Sequence, residues 1–406
     1  MSPAPLLPVS DALKRVLETA RTPLAPERVP LAQCRGRTLA EDVAALRTQP
    51  PFPAAAMDGY AVRATDIENV PAKLKITGES AAGRRFHGTV NAGEAVRIFT
   101  GAPVPEGADT ILIQENTKAD GDHVTALESE KLGRYVRRAG LDFSEGDVLL
   151  KKGQRLGPAE LALAAAMNHP ALPVTRRPRV ALLATGDELV RPGEEIGPDQ
   201  IVASNTYAVR AYAEKAGAEV IDLGIAGDNF SAIEAAIRAA RAYGADVMVT
   251  LGGASVGDHD LVQTALAHEG MELGFWRIAM RPGKPLVHGQ IGDMRILGLP
   301  GNPVSAIVCG LLFLVPLVRA LSGDIHAGDD RSEIAVLASD LPENDNRQDY
   351  LRARICGRKD GHPLVESFTR QDSSMLRILS EAQCLIVREA HAPAAKVGDP
   401  CRMLRV

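Results

Sequence analysis

Apolar residues recur along this chain with three different textures. At residues 10–20, SDALKRVLETA, the positions Ala12, Leu13, Val16, Leu17 and Ala20 fall on one helical face, with Ser10 expected as the N-cap. A short second helix is expected within 31–41. The stretch RTQPPFPAAAMDGYAV then places three prolines within four residues, which cannot continue a helix and predicts an extended crossing between domains. From about 60 to 145, short apolar segments (LKITG, AVRIFTG, TILIQE, HVTALE) alternate with Gly, Pro and Asp clusters and predict a small β-rich unit. PAELALAAAM at 158–167 predicts a helix with Pro158 in its first position, and HPALPVTRRP reads as a linker.

From 178 to about 325 the pattern changes to continuously apolar strands alternating with helices. The strands are RVALLAT, EVIDLGI, DVMVTLG and RILGLPG. The helices cover 205–216, 231–242, 258–269 and 303–321. A run apolar at every position implies burial on both faces, so these strands predict a mostly parallel, doubly wound sheet covered by helices. After GDIHAGDD the texture is β again (SEIAVLAS, YLRARIC, QCLIVRE, PCRMLRV), which predicts a small C-terminal β domain. A length of 406 residues fits two to four domains. The fold class is therefore multidomain, α/β plus β.

Composition narrows the function classes. A net charge of −5 argues against a general nucleic-acid binder. The longest apolar run, Ile307 to Val318, contains Gly310 and Pro316 and reads as a core helix rather than a membrane span. The N-terminus lacks the basic start and apolar core of a secretory signal. Five cysteines without a CxxC pair make a reducing cytoplasm the expected location.

In an open parallel sheet, ligands bind beyond the carboxyl ends of the strands. Four loops belong there: Thr185–Glu188 (TGDE), Gly224–Asp228 (GIAGD), Gly252–Asp258 (GGASVGD) and Pro300–Pro303 (PGNP). In GGASVG, Gly252, Gly253, Ser255 and Gly257 offer a bare backbone that can approach an oxyanion, with a helix N-terminus behind it. Pro300, Gly301, Asn302 and Pro303 form a second such turn, for which a plain helix start is an adequate structural explanation. Asp187, Glu188, Asp228, Asp258 and Asp260 share the same edge. A carboxylate close to a phosphate is repelled by about 4 kcal/mol, so a site holding both needs a cation, and magnesium bound by Glu188, Asp228 and Asp187 is expected. Taken singly, Asp228 and Asp258 have the alternative role of helix caps. WRIAMRPGKPLVHG supplies Arg277, Arg281 and Lys284 on an expected strand and turn. Alternation there puts Arg277 and Arg281 on one face for oxyanion contact. No cysteine–histidine–acid constellation, HExxH, GxxxxGK[ST] or GxGxxG is present.

Six stretches in order carry a resemblance: MDGYA (57–61), TGAPVPEGADT (100–110), RRPRVALLATGDELVRPG (176–193), LGGASVGDHD (251–260), RPGKP (281–285) and LPGNPVSA (299–306). Together the sequence resembles the molybdopterin molybdenumtransferase family, the MoeA-like proteins related to the E domain of gephyrin. The resemblance implies binding of adenylylated molybdopterin, acceptance of molybdate and magnesium-dependent release of AMP to give molybdenum cofactor. It implies functional roles for Asp58, Thr100, Asp142, Glu188, Asp228, Asp260, Arg277, Arg281, Pro300 and Pro303. It further implies a homodimer with the site shared between subunits, possible contact with a molybdopterin adenylyltransferase, and no nucleic acid or membrane partner. The implied domains are a discontinuous linker and dimer domain (1–45 with 145–177), an inserted β-rich domain (46–144), the molybdopterin-binding α/β domain (178–327) and a barrel-like C-terminal β domain (328–406). The chain departs from the family's pattern at Leu141, where glutamate is common, and at Arg277 and Arg281, where lysines are common. Asp372 stands where glycine is expected. The competing functions on the same fold are a non-catalytic molybdopterin-binding scaffold and a molybdopterin adenylyltransferase.

Overall fold

The computed structural model describes residues 6–253 and 261–406. Its centre is a sheet of six strands: β1 (Arg179–Thr185), β2 (Glu219–Ala226), β3 (Val247–Leu251), β4 (Glu272–Trp276), β5 (Val287–Ile291) and β6 (Met294–Leu299). Their order is β2-β1-β3-β6-β5-β4. β2, β1, β3 and β6 run parallel, and β5 and β4 extend the sheet as antiparallel strands. Alternation explains the unbroken apolar runs. In β1, Val180 and Leu182 enter one core, and Ala181 and Leu183 enter the other.

Helices α1 (Asn205–Ala216) and Pro303–Leu321 cover the first face, and α2 (Phe230–Tyr243) and α3 (Leu261–His268) cover the second. The helix Pro303–Leu321 contains a π-helical turn at Gly310–Leu314. It is long and apolar enough to cross a membrane by length and composition. However, 72% of its most apolar window is buried inside the fold, so packing makes it a core helix.

The N-terminal helix Val9–Glu18 starts two residues earlier than expected. Pro8 occupies the N-cap position without a side-chain cap, and Ser10 lies inside the helix. Val9, Ala12, Val16 and Ala20 pack into the α/β core. A separate cluster containing Val29, Leu39, Leu150, Leu156 and Val174 joins chain segments on either side of the inserted domain. Its framework is strand Pro26–Pro30 paired with Ala171–Thr175, and Val43–Ala44 paired with Val148–Leu150. Two sequence expectations fail here. The 31–41 segment forms only a 3₁₀ turn, Leu31–Gln33, and the expected linker 169–178 contains a strand. Pro173 is tolerated here because the outer-edge bond at that position uses its carbonyl, which accepts from the Ala40 amide at 3.1 Å, and not an N–H.

Residues of the inserted segment form a six-stranded sheet in the order Thr110–Ile113, Gly59–Val62, Glu94–Ile98, Ala72–Ser80, His123–Ala126, Thr117–Asp120. At the C-terminal end, strands Gln348–Lys359, His362–Ser367, Glu333–Leu337, Pro400–Arg405 and Cys384–Arg388 pair in sequence. The last then returns to the first, closing a five-stranded barrel. The short strand Met280–Arg281 pairs in parallel with Gln348–Asp349 and ties the barrel to the α/β layer.

Candidate functional site

The carboxyl ends of β1, β3 and β6 open onto a cleft of about 890 Å³. Thr185 ends β1 and Gly186 and Glu188 follow it, Asp228 follows β2, Gly252 and Gly253 follow β3, and Pro300 to Pro303 follow β6; all of these line it. Tight backbone contacts bring the loops together. The Gly252 amide donates to the Leu299 carbonyl at 3.1 Å, and Gly186 N–H to the Ala226 carbonyl at 3.1 Å. Gly252 has φ +106°, and a Cβ there would lie 2.7 Å from the Thr185 carbonyl oxygen. Glycine is therefore required by both conformation and space. The Asn205 side-chain amide, at the start of α1, donates to the Gly301 carbonyl at 2.7 Å and fixes the PGNP turn. The N-termini of α1 and of the helix at Pro303 both border the cleft, an arrangement that favours an anion. On its floor, the buried Thr185 hydroxyl has no partner among the described residues.

The acids divide by function. Asn229 caps α2, its side chain accepting from Ala232 N–H at 3.0 Å, so the capping alternative for Asp228 is not what the fold uses. The Asp187 carboxylate accepts the Asp228 amide at 2.9 Å and shapes that turn. The Glu188 and Asp228 carboxylates are exposed, line the cleft and accept no hydrogen bond or ion pair among the described residues. Two unengaged hard-oxygen donors at an anion-binding cleft fit a magnesium ion that takes its remaining ligands from substrate and water. The three expected ligands do not converge by themselves. Among the described residues, the group that brings three ligand atoms within 4.8 Å is Glu234 on α2, His268 at the end of α3 and Glu269 just beyond it. There Arg238 pairs with both glutamates and Arg241 with Glu269, so its negative charge is already balanced. Ser255, Gly257, Asp258 and Asp260 lie outside the described residues.

The basic segment differs from its expectation. β4 ends at Trp276, and Arg277 has φ +73°, so strand alternation does not relate Arg277 to Arg281. Arg281 pairs with Asp345 at 3.0 Å and with Asp349, both from the C-terminal domain. Burial pushes the Asp349 carboxyl up, with Arg281 pulling against it. The exposed Lys284 gives its carbonyl to the Ile278 amide. Pro285, next in the chain, lines the cleft.

Asp58, Thr100 and Asp142 are absent from the cleft wall of the single chain. Asp58 and Thr100 nevertheless form one unit, because Gly59 is paired with Ile98 on neighbouring strands. One Asp58 oxygen accepts both the Thr100 amide and its hydroxyl, each at 2.7 Å, and these bonds hold the carboxyl below its usual pKa range. Asp142 is exposed beside Leu141, and its amide donates to the Gln49 carbonyl at 3.0 Å.

Two contributors were missed in the sequence. Ser374, from the C-terminal domain, lines the cleft, and Ser373 accepts the Val304 amide at 3.0 Å. Arg352 is 1% exposed and has no carboxylate partner among the described residues. It donates to Gln371 and to the Asp372 carbonyl, and its Nη2 is unpartnered. A buried guanidinium with a spare donor, bonded to Gln371 two residues before Ser373, adds positive potential to that end.

Comparison with known proteins accounts for nearly the whole chain. Family models match in chain order: the MoeA N-terminal region (domain I and II) over residues 7–168, a probable molybdopterin binding domain over 181–320, and the MoeA C-terminal region (domain IV) over 335–405. A protein of Haemophilus influenzae named molybdopterin molybdenumtransferase is 34% identical, with 97% of each chain covered. This chain belongs to the MoeA family. A Mycobacterium tuberculosis relative, molybdopterin molybdenumtransferase 2, is 38% identical over 92% of this chain and 93% of its own. The solved molybdopterin biosynthesis MoeA protein of Pyrococcus horikoshii superposes with a TM-score of 0.82 at 30% identity, covering 99% of both chains. The MoeA architecture thus assigns the cleft to the domain whose family description is molybdopterin binding.

Proposed function

We infer that this MoeA-family chain is a molybdopterin molybdenumtransferase, which inserts molybdate into adenylylated molybdopterin and releases AMP. The observation that carries the reading is the convergence of TGDE, Asp228, Gly252–Gly253 and PGNP on one cleft in the molybdopterin-binding domain. The Gly253 N–H and the two helix N-termini would bind and orient the phosphates, while the Gly252 N–H, bonded to the Leu299 carbonyl, fixes the turn. Glu188 and Asp228 would hold magnesium, which when bound would neutralise phosphate charge and favour departure of AMP. Asn205 keeps the PGNP turn in place, and Arg277 and Arg352 provide positive charge for oxyanions. Molybdenum enters as substrate and is retained by the pterin's sulfurs.

Asp58 and Thr100, preorganised as a pair away from the single-chain cleft, fit a homodimer in which one subunit completes its partner's site. The five free cysteines are compatible with a cytoplasmic setting.

Incubation with adenylylated molybdopterin, molybdate and magnesium is expected to yield AMP and active cofactor in equal amounts, and omission of magnesium is expected to stop both. Tight binding without AMP release under the complete conditions would instead identify a scaffold.

A further inference from the structure

We propose that Trp276 is a positioning residue that holds the Arg277 guanidinium ready for a tetrahedral oxyanion at the cleft rim. The inference rests on the reading of Arg277 as an anion contact.

The backbone supplies the first part of the argument. β4 stops at Trp276, and Arg277 adopts φ +73°, a conformation disfavoured for a residue with a Cβ. Two bonds fix the turn: Arg277 N–H donates to the Leu286 carbonyl at 3.3 Å, and Ile278 N–H to the Lys284 carbonyl at 2.9 Å. Their acceptors bracket Pro285, which lines the cleft. The unusual backbone thus ties the Arg277 turn to the segment on both sides of Pro285, although Trp276 and Arg277 are not themselves among the residues lining the cleft.

The side chains supply the second part. The Arg277 guanidinium carbon lies 4.0 Å from the Trp276 ring centroid. Unlike Arg281, Arg277 forms no ion pair among the described residues. Its Nε and the Trp276 Nε1 are both buried and without partners among the described residues. Stacking occupies one face of the guanidinium, and with Nε buried it leaves the two Nη groups for in-plane, bidentate oxyanion contact. The ring thereby removes much of the rotamer freedom that a long arginine would otherwise lose on binding. Two anions share this chemistry, molybdate and the phosphate of AMP, and separate titrations distinguish them.

The test is calorimetric titration of the full-length protein with molybdate and, separately, with AMP, using wild type, Trp276→Phe, Trp276→Leu and Arg277→Ala. Trp276→Phe retains a ring face and is expected to stay within about threefold of wild type, whereas Trp276→Leu should weaken one anion about tenfold. In turnover, Trp276→Leu should raise the KM for the affected substrate while kcat and Tm stay unchanged. Wild-type affinity for both anions in Trp276→Leu, with Arg277→Ala weakened, would overturn the role of Trp276 and leave that of Arg277. Undiminished binding by Arg277→Ala would overturn both. Because the chain has a single tryptophan, wild-type fluorescence gives a readout independent of the variants. Emission should change on saturation with the bound anion, and constant emission at saturation would contradict the proposal.

Discussion

Replacing Glu188 by glutamine is expected to reduce AMP release at least about a hundredfold without changing the fold, the scale associated with losing a group that handles developing charge. The structure separates the two effects. The Glu188 side chain is exposed and makes no hydrogen bond or ion pair among the described residues, so an amide of the same shape removes charge and little else. Asp187 offers no such separation, because its carboxylate builds the turn at Asp228. The same variant tests the shared site. In a heterodimer of one Glu188→Gln and one Asp58→Asn subunit, one site keeps both native groups, and about half the wild-type activity is expected if each site draws on two chains. Purified heterodimers as inactive as either homodimer would contradict that arrangement. Full activity of Glu188→Gln would contradict the assignment of the acid.

Gly252→Ala is expected to destabilise the α/β domain and abolish ligand binding together. A positive φ costs a non-glycine residue about 1–3 kcal/mol. The new methyl would lie 2.7 Å from the Thr185 carbonyl oxygen and 2.9 Å from its hydroxyl, and such overpacking costs about 1–3 kcal/mol more. Relief by movement is blocked. The Gly252 amide is bonded to Leu299, and β3 is paired on both sides within a doubly covered sheet. Chemical denaturation should therefore show a loss of about 2–6 kcal/mol. A change within about 0.5 kcal/mol, as for an ordinary surface substitution, would show that the loop has room the structure does not provide.

The parallel core of this domain was legible because burial on both faces leaves an apolar residue at every strand position, as in β1 and β3. The cleft was legible because glycines and acids followed those strands directly. The basic segment was not. Its alternation held only to Trp276, where a positive φ at Arg277 breaks the strand, and Arg281 belongs to a pairing with residues nearly seventy positions away. Arg352 was hidden for a related reason. In YLRARIC an arginine every second residue looks like a solvated face, and only the Gln371–Asp372 loop makes Arg352 a buried group. Ser10 was displaced from its expected capping role by Pro8, whose fixed φ is already compatible with a helix start. The Asp58–Thr100 pair depends on strand register, which the two turn sequences do not encode separately.

The central claim is that acidic side chains and phosphate-binding backbone meet at one cleft around a divalent cation. The most direct test is electron paramagnetic resonance of Mn²⁺ bound to the protein in the presence of AMP. The account predicts phosphorus hyperfine coupling to the manganese, abolished by Glu188→Gln. A manganese signal without that coupling, indifferent to Glu188→Gln and lost on Glu234→Gln, would place the metal at the Glu234–His268–Glu269 group and contradict the account.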